Sequence, residues 1–143
     1  MDQIKWSKWF ALHSLDLSMI PEESGLYQIR WSVNGNPQLI HRANDTDDSG
    51  LLYIGKTVNL KHRIRSFKRG LSQLKSNNVS YTHTAIYTYS YYGFNKIFKP
   101  ETLEIRWAEK DKDLIDYWEE KMLGDYVEKF LDSPPLNISV RRM

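Results

Sequence analysis

Cysteine is absent from the 143 residues, which excludes disulfides, thiolate catalysis and any Cys-based zinc site. No apolar run comes near the ~18 residues that a membrane helix needs. The opening Met1-Asp2-Gln3-Ile4-Lys5-Trp6 also lacks the basic start and apolar stretch of a secretion signal. These absences fit the cytoplasm. A net charge of only +2 sets the chain apart from both acidic disordered tails and polycations. What is present is a 41% apolar share, enough for one core, and a length that fits a single domain over 1–143. Nine Tyr and five Trp are plentiful for this length, and such rings either fill a core or stack on bases.

The small net charge hides two opposed segments. From Asn59 to Lys75 there are six Lys/Arg (Lys61, Arg63, Arg65, Lys68, Arg69, Lys75) and no acid, whereas Glu101 to Asp132 holds eleven acids against five bases. A basic helix is the usual footprint of polyanion binding, although a solvated face is the commoner reading of such a run taken alone. The acidic segment either solubilises or holds a carboxylate for a hard cation.

Trp6, Trp9, Phe10 and His13 fall at helical spacing, so 3–14 reads as an amphipathic helix within an N-terminal extension, 1–20, closed by Pro21. From Tyr27 the period changes to two, predicting a half-buried strand with Tyr27, Ile29, Trp31 and Val33 on one face. Asn34-Gly35 is a hairpin signal, with 37–42 returning and 44–50 a polar, acidic loop. Leu51-Leu52-Tyr53-Ile54 reads as a short strand broken by Gly55. Leu60, Ile64, Phe67, Leu71 and Leu74 then form one helical stripe, capped by Thr57 or Asn59, with Arg63 beside it. Residues 80–94 are ambiguous between strand and helix. Thr102–Ala108 alternates like a strand, and Asp111–Leu131 is a second helix with Leu114, Ile115, Trp118, Met122, Tyr126 and Phe130 inward, stopped by Pro134-Pro135. The expected fold is a small α+β unit with a central, mainly antiparallel sheet flanked by helices.

Gly25-Leu26-Tyr27 opens one strand, and Leu52-Tyr-Ile-Gly-Lys-Thr-Val-Asn-Leu-Lys-His-Arg-Ile runs from another strand into the basic helix. Glu119 lies on the second helix, ahead of Met122 and Leu123, and Pro134-Pro135-Leu136-Asn137 follows. Together these motifs, over roughly residues 24–138, resemble the GIY-YIG nuclease family. The central run is most similar to the nuclease domain of bacterial nucleotide-excision repair enzymes, and the Pro-Pro-Leu-Asn ending to restriction-type and stand-alone members. The two motif tyrosines are 26 residues apart, so 34–50 looks like an insertion between them. Many members carry a His where this chain has Phe67; the excision-repair branch lacks it too, and His83 replaces it only if 80–94 folds back on the site.

The resemblance implies a metal-dependent endonuclease acting on DNA. Glu119 would hold Mg²⁺ or Mn²⁺, with Glu120 as the fallback on the solvent side. Arg63 would grip the scissile phosphate with its fork of donors. Tyr27 is favoured as general base and Tyr53 as the group that positions water or phosphate. A phenol with a reference pKa of ~10 needs a nearby cation for that work, from Lys56, Arg63 or the metal. Gly55 would let a phosphate approach the backbone. Asn137 either orients the site or closes a turn. Lys61, Arg65, Lys68 and Arg69 would track the DNA backbone without reading sequence. Specificity would come from the insertion, the N-terminal helix, the 76–100 segment, a homodimer or a partner protein. The rivals are a non-catalytic nucleic-acid-binding module of the same fold and an RNA- or structure-specific nuclease.

Overall fold

The computed structural model describes residues 3–74 and 84–138; Lys75, His83 and the beginning of the 80–94 segment lie outside them. In chain order the elements are β1 (Phe10–Ala11), β2 (Gly25–Val33), β3 (Asn36–Pro37), β4 (Ile40–His41), β5 (Thr46–Asp47), β6 (Leu51–Thr57), α1 (Leu60–Gln73), α2 (Thr84–Tyr91), β7 (Leu103–Glu109) and α3 (Ile115–Phe130). β2 is the central strand. It pairs with β7 along one edge and with β6 and then β3 along the other, and β1 adds beyond β7. Every pairing is antiparallel, so the fold is α+β as expected. No helix among the described residues is long and apolar enough to cross a membrane.

The largest departure from the sequence pattern is the N-terminal arm, which forms no α-helix over 3–14. It lies along the open edge of β7: Phe10 and Ala11 pair with Ile105 and Glu104, and the Ser7 N–H donates to the Trp107 carbonyl at 2.8 Å. The apolar spacing serves both sheet faces at once. Phe10 stacks on Trp107, while Trp6 and Trp9 both cover the Arg106 guanidinium at 4.4 and 4.7 Å. Covering a sheet edge supplies more partners than an isolated helix has, so tertiary contact overrides the local period. Among the described residues, the extension's helical content is a single 3-10 turn, Leu17–Met19.

Asn34 and Gly35 take φ of 52° and 79°, the pair of positive values that a type I′ hairpin turn needs. The returning strand is shorter than expected. Only β3 pairs with β2, because β6 occupies residues 25–30 of that edge; β4 and β5 pair with each other instead. The 34–50 segment then docks on the C-terminal end of α3. The Asn44 N–H donates to the Phe130 carbonyl, Arg42 donates to the Ser133 carbonyl, and the buried Asp47 carboxylate accepts from the Tyr126 hydroxyl at 2.8 Å. Arg42 thereby places a cation near the negative end of the helix dipole.

α1 follows the sequence pattern closely. Asn59 caps it by accepting from the His62 N–H, and Leu60, Ile64, Phe67 and Leu71 are buried against the sheet. The described part of the ambiguous segment is helical, as α2. α3 starts at Ile115, later than Asp111, and leaves Leu114 exposed. It stops before the prolines, where Leu131 turns left-handed at φ 53°.

Candidate active site

β6 runs unbroken through Gly55, with Gly55 opposite Tyr27 and Tyr53 opposite Ile29. Directly opposed residues share a face, so Tyr27, Ile29, Tyr53 and Gly55 lie together under α1. A Cβ at position 55 would sit 2.5 Å from Tyr27 Cζ and 2.7 Å from its hydroxyl oxygen. The missing side chain therefore makes room for the Tyr27 ring.

The two tyrosine rings are 5.8 Å apart and tilted by 38°. Tyr27 is 2% exposed, whereas Tyr53 is only partly buried. Burial pushes both phenols above their ordinary pKa, and Tyr27 well above it. Their mutual hydrogen bond raises Tyr27 and lowers Tyr53. Arg63 lowers both phenols and Glu119 raises both, so four residues from β2, β6, α1 and α3 share one electrostatic site. Tyr27 has the drier hydroxyl of the two, and Tyr53 is the more exposed.

Lys56 lies on the opposite face of β6 from Tyr53, as a regular pleat requires, and α3 crosses that face. Its ammonium bonds Asp116 at 2.6 Å and lies 3.8 Å from Glu119. Asp116, then Glu119, raise the Lys56 pKa against a smaller opposing effect of burial, so Lys56 stays a cation. Its electrostatic partners are the α3 carboxylates, and Arg63 is the side-chain cation that lowers both tyrosines. Glu119 is 21% exposed, and burial raises its pKa against the pull of Lys56. Glu120 is exposed, as its place on the helix suggested. Asp116 was missed from sequence, although its i−3 spacing from Glu119 puts both on one helix flank.

Asn137 spends both ends of its amide on one residue. It accepts from the Ile54 N–H and donates to the Ile54 carbonyl, each at 2.9 Å. With the Leu136 N–H donating to the Leu52 carbonyl, the tail imitates a strand along the edge of β6. Asn137 therefore bears on the site through the strand that carries Tyr53.

The cations of α1 do not gather on one face. At about 100° per residue, Arg63 flanks one side of the apolar stripe, Lys61 and Lys68 flank the other, and Arg65 and Arg69 point away from it. Lys68 donates to the Leu15 carbonyl at 2.7 Å. Asp16, whose pKa is lowered chiefly by hydrogen bonds from Ser18, also feels Lys68 and Lys61. Lys68 is thus tied to the N-terminal arm.

Among the described residues, no group of three or more His, Asp or Glu side chains converges to hold a metal ion. The donor set fits a looser arrangement. Mg²⁺ typically keeps several waters and takes one or two carboxylates plus substrate phosphate, and Glu119 offers one carboxylate at the edge of the tyrosine pair. No family model, curated protein or solved structure gives a significant match to this chain.

Proposed function

We propose that the chain is a GIY-YIG-type endonuclease that hydrolyses DNA phosphodiester bonds with Mg²⁺ or Mn²⁺. One observation carries the reading: Tyr27 and Tyr53 lie side by side, and Arg63 and Glu119, from two different helices, each bear electrostatically on both phenols. A phenol pair, a guanidinium and a half-buried carboxylate suit attack of water on a phosphodiester.

Arg63 binds the scissile phosphate and favours the Tyr53 phenolate. Tyr27 favours that phenolate too, through their mutual hydrogen bond. Tyr53 then takes a proton from the attacking water; the water oxygen bonds to phosphorus, and the bridging oxygen leaves and is protonated from solvent. Glu119 would hold the divalent cation, which when bound would offset charge building on the phosphoryl oxygens. Neutralising Glu119 also removes the charge that opposes the Tyr53 phenolate. Lys56 holds the α3 carboxylates against β6. Choice of DNA site falls to the 34–50 segment, the N-terminal arm, the 76–100 segment, a second copy or a partner protein.

Incubating the protein with supercoiled plasmid and Mg²⁺ or Mn²⁺, beside an EDTA control, tests the reading. Nicking that EDTA abolishes is expected. Gel retardation without nicking would mean a nucleic-acid binder that keeps the fold and has lost the reaction.

A further inference from the structure

The sequence left the tyrosines of 80–94 without a role, and the proposed reaction does not use them. Around the C-terminal end of α2 they form a continuous aromatic surface. Tyr87 and Tyr91, one helical turn apart, stack at 5.3 Å with planes 13° apart; Tyr92 meets Tyr91 edge-on at 5.1 Å, and Phe94 lies 6.1 Å from Tyr92. Tyr91 is 65% exposed and Tyr92 47%, unlike Tyr89 on the same helix, which is fully buried.

The fold holds these rings in place. Gly93, at φ 73°, ends α2 with a left-handed turn that brings Phe94 back beside Tyr92. The buried Tyr89 hydroxyl donates to the Phe98 carbonyl, which ties the following 3-10 turn, Phe94–Lys96, to the helix. Phe98 in turn packs edge-on against Trp31 of β2. The surface therefore rests on the core.

Cations adjoin it in the chain. Between residues 84 and 100 the ionisable groups besides the phenols are Lys96 and Lys99, both exposed; the nearest acid in sequence, Glu101, follows Pro100 and bears on the buried Tyr89. Open aromatic faces edged by cations suit bases on a phosphate backbone: each base presents a π-face, and each phosphate a negative charge. An apolar partner would leave the lysines unmatched, and an acidic peptide would leave the rings unused.

We infer that Tyr91 and Tyr92, backed by Tyr87 and flanked by Lys96 and Lys99, form a stacking platform for unpaired bases of a single-stranded nucleic acid. The platform rests on the proposed function only in taking nucleic acid as the ligand. It makes the enzyme selective for substrates with a single-stranded portion.

The test is anisotropy of labelled dT15, U15 and a 15-base-pair duplex with the full chain in EDTA, where metal-dependent cleavage is off. Wild type should bind at least one single strand more tightly than the duplex. Tyr91→Ala/Tyr92→Ala should weaken that binding about tenfold or more and leave duplex binding nearly unchanged. Tyr91→Phe/Tyr92→Phe should restore it, because Phe keeps the π-face. Lys96→Ala/Lys99→Ala should weaken it and flatten the salt slope. Unchanged single-strand affinity in the alanine variant overturns the platform, as does a wild type that binds neither single strand. A wild-type dimer that the alanine variant turns into a monomer of unchanged affinity also overturns it, making the surface a self-interface. Plasmid nicking scores the nuclease reading separately: nicking with a failed platform, or a working platform without nicking, tells the two failures apart.

Discussion

The two faces of the sheet are built on opposite principles. Under α1, Tyr27, Ile29, Ile105 and Trp107 meet Ile64 and Phe67 in a dry apolar core. On the other face, β2 and β7 oppose Gln28 to Arg106 and Arg30 to Glu104, polar residues on central strands that no solvated face explains. Gln28 is only 7% exposed. Its carbonyl accepts two bonds from Arg106, Arg30 pairs with Glu104 at 2.7 Å, and Trp6 and Trp9 cover the guanidiniums. Burial and the neighbouring Arg30 charge lower the Arg106 pKa to about 10. One face thus excludes water from apolar side chains and a phenol, and the other keeps its charges by hydrogen bonds, one ion pair and aromatic cover. The candidate site lies where they meet along β6, drawing its phenols from the first face and Glu119 from the second.

The comparison breaks most visibly at Glu119. Glu119→Gln keeps the shape and removes the charge, so plasmid nicking should fall by ~10²-fold or more while DNA binding persists. A variant that nicks at the wild-type rate would move the site to another carboxylate. Next comes the dry face. Phe67→Ala should cost about 3–5 kcal/mol in urea unfolding, because Phe67 is fully buried and the surrounding helix and sheet can collapse only in part.

The two phenols separate by pH. Tyr53→Phe should lower the nicking rate by ~10²-fold and remove the rising limb of the pH–rate profile. Tyr27→Phe removes the bond that lowers the Tyr53 pKa, so the limb should survive and move to higher pH. The reverse result would return the base role to Tyr27. On the polar face, Arg106→Met leaves the buried Gln28 carbonyl without its donor and should cost about 1–3 kcal/mol, less than the Phe67 cavity. The smallest effect is expected outside both faces. Arg69→Ala should weaken DNA binding alike for all sequences and reduce the salt slope by about one, whereas Lys68→Ala should leave the slope unchanged, because Lys68 is tied to Leu15. Equal slopes for both variants would make α1 an ordinary solvated helix.

Much of this was legible in the sequence, where a local rule and a buried face agree. The stripe of α1, the Asn34-Gly35 turn and the alternation of β7 each follow from one period with one side in the core. The partly buried place of Glu119 followed from its helical neighbours, Ile115 and Met122. The N-terminal arm was misread because period and partner disagree: its tryptophans sit at helical intervals, but the β7 edge and two guanidiniums offer more contact than a helix surface.

The sequence by itself determined an α+β chain with a basic amphipathic helix, two motif tyrosines and one well-placed glutamate, since these depend on residues close in the chain or at fixed spacing. Only the tertiary structure decided which tyrosine is the more exposed, why residue 55 is a glycine, what Asn137 binds and which lysine of α1 is already engaged. Those outcomes depend on contacts across 28 residues between Tyr27 and Gly55, 83 between Ile54 and Asn137, and 53 between Leu15 and Lys68. A periodicity repeats over a few residues, so it carries no information about which distant strand will stand opposite.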